Sequence, residues 1–509
     1  MLGFMRNFAP AVALSALFTI MSSGAAFAQD GDTDRGSFIG FIVDLINDLD
    51  ALVFMSVDMF GASVKPIVIW MGAPMVLLTV YFGFVNLTSF RRAWHVARGD
   101  YQDPDAIGEV TQFQALSTAL SGTVGLGNIA GVAAAISLGG PGATFWMILI
   151  GFCAMSLKFA ECTLGVKYRE VHEDGTVSGG PMHYLKKGLA ARGWVKVGLF
   201  LGWTYALLAL PSLLQVATVN QIYEAITVVA QVDTTLYQWL FGIMLAALTA
   251  VVIVGGIRSI ASVTATLVPL MAFIYLSAAL VIILSNIDQL PAAFATIFEG
   301  AFKPEGVAGG VLGVIVIGMQ RAVYSTEAGL GSATMAHAAA KTNEPVSEGM
   351  VALMEPFIDT VVVCTMTALV IVITGVYHNA DGVEGVALTA SAFGSVISWF
   401  PWVLAVAAFL FGFSTIVSWG YYSSKIWAFI FGGSGRSMTI YKVVYCTAII
   451  PGAVLTLNEV YTLMSSLFFL MAIPNIIGIY LMAPELKADL KSYLTRLRSG
   501  QITRRANAE

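Results

Sequence analysis

Ser121-Gly-Thr-Val-Gly-Leu-Gly-Asn-Ile-Ala-Gly131 lies inside a strongly apolar run, between Phe113-Gln-Ala-Leu-Ser-Thr-Ala-Leu120 and Val132-Ala-Ala-Ala-Ile-Ser-Leu138. Four glycines in eleven residues make poor helix, since each costs roughly 1 kcal/mol against alanine. In lipid the constraint tightens, because every backbone N–H and C=O must find a partner inside the protein or in a wet cavity. A helix that breaks at membrane depth therefore offers its freed groups to something, and the peptide is a candidate site for a small ligand and its ion. The alternative is a close helix contact through small residues.

Working outward, the setting is membranous. The chain has 509 residues, 57% hydrophobic and 11% charged, with a mean hydropathy of +0.80. Soluble proteins carry roughly 25% charged residues, so an all-α polytopic membrane protein is expected. Cys153, Cys162, Cys364 and Cys446 stand singly in apolar runs, and the five histidines are scattered. Neither set implies a disulfide framework or a metal site. No nucleophile–base or metal-ligand spacing points to an enzyme, no cofactor is implied, and nothing suggests a nucleic-acid partner.

Residues 1–28 look like a signal peptide, with Arg6, an apolar stretch from Phe8 to Ile20, and Ala26-Phe27-Ala28 as the cleavage site. An uncleaved anchor is the alternative. Residues 29–65 then form a periplasmic segment. It holds an amphipathic helix on the outer membrane surface, with Phe41, Leu45, Leu49 and Leu52 set against Asp44, Asp48, Asp50 and Asp58.

Eleven apolar segments approach the roughly 20 residues that span a bilayer. They fall at about 66–90, 113–137, 143–166, 197–222, 237–256, 260–285, 307–332, 350–374, 400–428, 440–457 and 459–483. With the N-terminus outside, the inner loops collect Arg91, Arg92, Arg98, Lys167, Arg169, Lys186, Lys187, Arg192, Lys196, Arg258, Lys341, Arg436 and Lys442. The basic tail at 484–509 joins them. The outer loops keep Arg35, Lys65 and Lys303 beside acids such as Asp233, Asp288, Glu305, Asp381 and Glu384. This separation follows the positive-inside rule and predicts an N-out, C-in topology.

The span at 307–332 is also interrupted by glycines and carries Arg321 and Glu327. It is the seventh span and the first interrupted one is the second, so the two cross in opposite directions. Two broken helices in matching places of two five-helix units point to an inverted-repeat transporter. The repeats would cover 113–285 and 307–483, with 66–90 as an added helix.

Seven peptides then carry a resemblance. They are Phe113 through Val132, Leu138-Gly-Gly-Pro-Gly-Ala-Thr-Phe-Trp-Met147, Gly179-Gly-Pro-Met-His-Tyr184, Tyr324-Ser-Thr-Glu-Ala-Gly-Leu-Gly-Ser332, Phe357-Ile-Asp-Thr360, Phe413-Ser-Thr415 and Met471-Ala-Ile-Pro-Asn475. In this order they resemble the alanine/glycine:cation symporters of bacteria and archaea. Val124-Gly-Leu-Gly-Asn128 is also similar to the first broken helix of the neurotransmitter:sodium symporters. The resemblance implies a five-plus-five core with alternating access, Na+-coupled uptake of small neutral amino acids, and residence in a bacterial inner membrane.

It also implies a division of labour. A substrate carboxylate would meet the N–H groups of Leu126 and Gly127, where the helix dipole favours negative charge. Gly125 and Gly127 would allow close approach. The ammonium would face freed carbonyls of Ile317, Gly318 and Met319, with Thr123, Gln215, Thr218 and Trp419 completing the substrate set. Sodium would take the carbonyls of Ser121 and Val124 and the hydroxyls of Ser414 and Thr415. Asn128 serves a second ion or the substrate. Charges at membrane depth are functional candidates, so Arg321, Glu327, Asp359, Lys158 and Glu161 are read as an inner gate, with Arg321–Glu327 or Arg321–Asp359 as the expected pairs. Snorkelling of Lys158 to the headgroups is the alternative.

The chain also departs from the family pattern. Thr218 stands where a glutamine is common, with Gln215 one turn earlier, and Tyr324, Thr326, Leu126 and Ser465 replace a frequent phenylalanine, asparagine, threonine and aspartate. The alternatives left open are a carrier of different specificity or proton coupling, and a transporter-like sensor.

Overall fold

Lipid offers no partner to a peptide group, so a chain this apolar folds into helices that satisfy their own backbone. The computed structural model describes residues 38–502 apart from 60, 102, 104, 232, 304–308, 380–384 and 455–457. The expected signal peptide at 1–28, the acidic stretch 29–34 and Arg35 lie outside the described residues, as do Glu305, Asp381, Glu384, the first two residues of the 307–332 span, and Arg504 and Arg505.

Helix α1 (Phe38–Val53) leads through a hairpin of β1 (Val57–Met59) and β2 (Ala62–Val64), with Val57 opposite Val64, into α2 (Pro66–Tyr81). The first interrupted span is α3 (Gln112–Thr123) and α4 (Leu126–Gly139), which meet at a bend of 43°. Next come α5 (Gly142–Lys167), a second hairpin of β3 (Glu170–Val171) and β4 (Val177–Ser178), α6 (Pro181–Ala190) and α7 (Val195–Ala209). They are followed by α8 (Val216–Ala230), α9 (Thr235–Val254), α10 (Gly256–Ser285) and α11 (Leu290–Phe302). The remainder holds α12 (Gly310–Thr326), α13 (Thr334–Ala338), α14 (Pro345–Thr374) and α15 (Gly385–Val396). It ends with α16 (Phe400–Phe431), α17 (Gly435–Ile449), α18 (Asn458–Leu470) and α19 (Ala472–Arg498).

Each of the eleven expected segments contains a helix. Among the described residues, seven helical stretches are long and apolar enough to cross a membrane, with α7–α8 and α18–α19 each taken as one, or eight if the bent α3–α4 pair also counts as one. α2 and α12 are shorter apolar helices. The hairpins and the short helices α6, α11 and α15 had no counterpart in the hydropathy reading, because segments this short carry little periodic signal.

The core gathers on α5, which packs against α2, α4, α11, α12, α13, α14 and α19. Peripheral helices turn apolar side chains outward instead. α9 exposes Leu236, Leu240, Ile243, Val251 and Val254, a face suited to acyl chains. α3 lies against α10 and α16, and α8 also packs on α16, which brings the first interruption to the middle of α16.

In helix α1, Leu45 and Leu52 of the apolar stripe are 56% and 67% exposed, while Val53 is buried and Asp50, read as part of the polar face, turns toward α18. The face that turns inward is chosen by the partner α18, and the leucines are left to the surroundings of the protein.

Candidate functional site

The first interruption is built by its own residues. Thr111 starts α3 with a reciprocal cap: its hydroxyl accepts from the Gln114 N–H (3.1 Å) and its own N–H donates to Gln114 Oε1 (3.0 Å). The helix ends at Val124, whose N–H still reaches the Leu120 carbonyl. Gly125 is extended, and its N–H donates to Asn128 Oδ1 at 2.9 Å. The Asn128 amide, fully buried, donates to the Asp359 carbonyl and to Ser325 Oγ, both at 3.1 Å, and to the Asp359 carboxylate. Asp359 lies in a wide π-helical stretch of α14, Phe357–Cys364, where the helix's own ladder is loosened. Ser325 and Thr360 also donate to its carboxylate, each at 2.8 Å. Asn128 thus ties the interruption to α12 and α14.

On its other side the interruption meets α16 through oxygen atoms. The Ser121 carbonyl accepts from the Thr415 hydroxyl at 3.1 Å and from the Ser414 hydroxyl at 3.5 Å. The Ser121 hydroxyl donates to the Ser414 carbonyl at 2.7 Å and accepts from Ser418 at 2.9 Å. Ser414 and Thr415 also bond back to the Phe411 carbonyl, the usual habit of hydroxyls inside a helix. Carbonyl and hydroxyl oxygens from two helices therefore converge, with no full charge among them. Thr123 bonds back within α3. A Cβ on Gly127 would meet open space, so its backbone is approachable. The side chain of Leu126 lies outside the described residues.

The second interruption is displaced from its expected place. α12 runs unbroken through Ile317, Gly318 and Met319, so their carbonyls serve the helix ladder. These residues make helix contacts. A Cβ on Gly318 would meet the Ala143 carbonyl at 2.6 Å and Trp146 Cβ at 2.7 Å, Ile317 covers Gly139, and Met319 covers Gly72. Gly318 is a small-residue contact point between α12 and α5.

The chain actually breaks at Glu327, which adopts a left-handed conformation (φ 50°), and it stays irregular until α13. Gly329 (φ +97°) and Gly331 (φ +75°) supply turns that side chains resist. The loop is pinned from outside. Glu161 Oε1 accepts from the Gly329 N–H (3.0 Å) and from Asn475 (2.7 Å), Asn475 donates to the Gly329 carbonyl (2.8 Å), and Tyr205 donates to the Leu330 carbonyl (2.8 Å). Tyr184 donates to Asn475. Three of the resemblance peptides, those ending in Tyr184, Ser332 and Asn475, thus meet at one loop.

A third irregularity lies in the span at 197–222. A 3-10 turn at Leu210–Leu213, containing Pro211, separates α7 from α8, because proline has no N–H to give a continuing helix. Gln215 at the start of α8 donates to the Ser212 carbonyl (2.7 Å) and accepts from Thr218 (3.0 Å). This turn forms one wall of a cavity of about 230 Å³. Gln215, Thr218 and Gln221 face Glu327 and Tyr324 from α12, Thr415 and Trp419 from α16, and Ser465 and Phe468 from α18. Gln215, Thr218 and Trp419 of the expected substrate set come together there. Thr123, Gly125, Gly127, Asn128 and the residues 317–319 do not line it. Three positions that depart from the family pattern, Thr218, Tyr324 and Ser465, do.

The charged residues pair differently from the expectation. Lys158 is fully buried and bonds Glu355 at 2.8 Å, so it does not snorkel. His337 meets Glu348 at 2.6 Å and Glu355 at 3.8 Å, and Gln112 donates to Glu348 at 3.0 Å. Arg321 makes neither expected pair: Glu327 accepts from Ser332, and Asp359 is taken by Asn128, Ser325 and Thr360. Arg321 is half-buried on α12 and does not line the cavity. Polar partners closer in space satisfied both acids.

Nearby, Arg169 donates to four backbone carbonyls, those of Ile107, Ala338, Ala340 and Thr342, at 2.7–2.8 Å. It joins the segment before α3 to the end of α13 and the segment after it. This latch had no sequence signal beyond a basic residue in a loop, since its acceptors are backbone atoms.

Comparison with known proteins agrees with this architecture. The model of the sodium:alanine symporter family matches residues 49–507. The sodium/alanine symporter AgcS of Methanococcus maripaludis is 35% identical over 89% of this chain and 97% of its own. The amino-acid carrier protein AlsT of Bacillus subtilis is 33% identical over 84% and 88%, and the probable sodium/glutamine symporter GlnT of the same organism 34% over 77% and 80%. The crystal structure of MhsT in complex with L-phenylalanine aligns with a TM-score of 0.51 at 14% identity, over 74% of this chain and 89% of that one. At that identity the likeness speaks for the fold alone. The chain is a multi-pass transporter and belongs to the sodium:alanine symporter family.

Proposed function

We propose that the protein is a sodium-coupled symporter of small neutral amino acids working by alternating access, with eleven spans, N-terminus outside and C-terminus inside, in two inverted five-helix repeats. The substrate occupies the cavity, its ammonium near Glu327 and the rest against Gln215, Thr218 and Trp419. Sodium sits among the carbonyls of Ser121 and Val124 and the hydroxyls of Ser414 and Thr415. One observation carries this reading: Thr415 both lines the cavity and donates to the Ser121 carbonyl. When a cation takes that carbonyl, the hydroxyl must turn its lone pairs toward the ion, and a wall of the cavity changes with it. That is a direct physical link between ion and substrate. Among the described residues the cavity is lined by a carboxylate and by no cationic side chain, which favours the ammonium end of a zwitterion and disfavours acidic substrates.

The test is uptake of labelled alanine into proteoliposomes with an inward sodium gradient, an equal potassium gradient, or none. Accumulation with sodium alone is expected. Thr415→Ala should lower apparent sodium affinity about tenfold or more, equivalent to roughly 1.4 kcal/mol, and Thr415→Ser should retain most of it. Equal accumulation with potassium would falsify the sodium assignment. The similarity to a probable sodium/glutamine symporter makes a competition panel of serine, glutamine and glycine the measure of specificity.

A further inference from the structure

Helix α18 is held between the cavity and α1. Its Met464, Ser465, Leu467 and Phe468 line the cavity, while Ser466 and Phe469 turn to α1 and the residue that follows it. The Ser466 hydroxyl donates to Asp50 Oδ1 of α1 at 2.8 Å, and Ser466 is fully buried. One turn along, the Phe54 ring meets Phe469 edge-on at 5.2 Å, and Phe469 meets Tyr324 at 4.7 Å. Tyr324 itself lines the cavity. Lys65, just before α2, sits 5.3 Å above the Phe54 ring.

We propose that Asp50 is a positioning residue for the substrate cavity, acting through Ser466, and that α1 is the brace that sets how far α18 and Tyr324 close on the substrate. An acid on the packed face of an otherwise apolar contact is costly unless bonded, so the Asp50–Ser466 bond fixes the register of α1 on α18. The aromatic run Phe54–Phe469–Tyr324 extends that register to the far wall. Any movement that opens the cavity past α18 must carry α1 along or break this contact.

The role in uptake rests on the function proposed above, so the experiment reads the cavity without needing a substrate. In Ser465→Cys protein, the rate of labelling by a small methanethiosulfonate reagent is measured, with the parent protein correcting for the four native cysteines. Asp50→Ala and Ser466→Ala should each change the rate about threefold or more, within the range of couplings between touching residues. The double variant should change it no further, and Asp50→Asn, whose amide oxygen still accepts, should restore it. Phe54→Leu, which keeps apolar bulk, should shift the rate in the same direction. Unchanged rates, or additive effects of the two alanine variants, would overturn the proposal. In uptake assays the same variants should move KM more than kcat. Shifted labelling without any uptake would count against the transport reading and leave the brace standing.

Discussion

Lys158 shows what single residues had to find in this interior. Its ammonium lies on α5 with no exposure, 2.8 Å from Glu355. Removing one partner of a buried pair strands the other, at a cost of about 3–5 kcal/mol, whereas replacing both with apolar groups is far milder. Lys158→Met should therefore lower the thermal unfolding midpoint of the purified protein sharply, and Lys158→Met with Glu355→Leu should recover most of the loss. A double variant less stable than the single one would show that the pair contributes more than mutual compensation. The sequence announced that Lys158, Glu161, Glu327 and Asp359 are unusual at membrane depth. It did not announce their partners. Asn128 reaches Asp359 across 231 residues, and Glu161 reaches Asn475 across 314.

At the scale of elements, glycine carried two meanings that the sequence did not separate. Gly125 opens a real interruption, where Asn128 stands ready to take the freed N–H. Gly318 sits in an intact helix and lets α12 approach α5. Gly318→Ala should thus destabilise the α5–α12 contact by about 1–3 kcal/mol through overpacking, seen as a lower unfolding midpoint. Substrate KM should change little in whatever protein survives. A selective rise in KM at unchanged stability would return these carbonyls to the substrate site. The actual break at Glu327 was partly legible, since Gly329 and Gly331 follow it. A left-handed glutamate was not, because only the surrounding bonds hold it there. The short turn at Pro211 has a local cause in the proline, but the apolar run around it hides the turn from hydropathy.

At the scale of the whole molecule, the charge separation makes the orientation testable. Glu173 lies exposed beyond β3 and Asp288 is exposed before α11, and the positive-inside reading puts them on opposite sides. In intact cells a membrane-impermeant maleimide should label Asp288→Cys and should reach Glu173→Cys only after permeabilisation. The reverse pattern would invert the topology, and labelling of both from outside would break the span count. Composition, apolar segment length, the first interruption and the ordered peptides were written in neighbouring residues, so the sequence by itself determined a helical membrane transporter of this family. Only the tertiary structure decided the inward face of α1, the place of the second break, the partners of the buried charges, and the cavity wall that Thr415 shares with Gln215 and Glu327. Helix formation is a local response to lipid and periodicity. Which polar groups meet depends on how distant helices pack, and burial makes each unmet group too costly to leave alone.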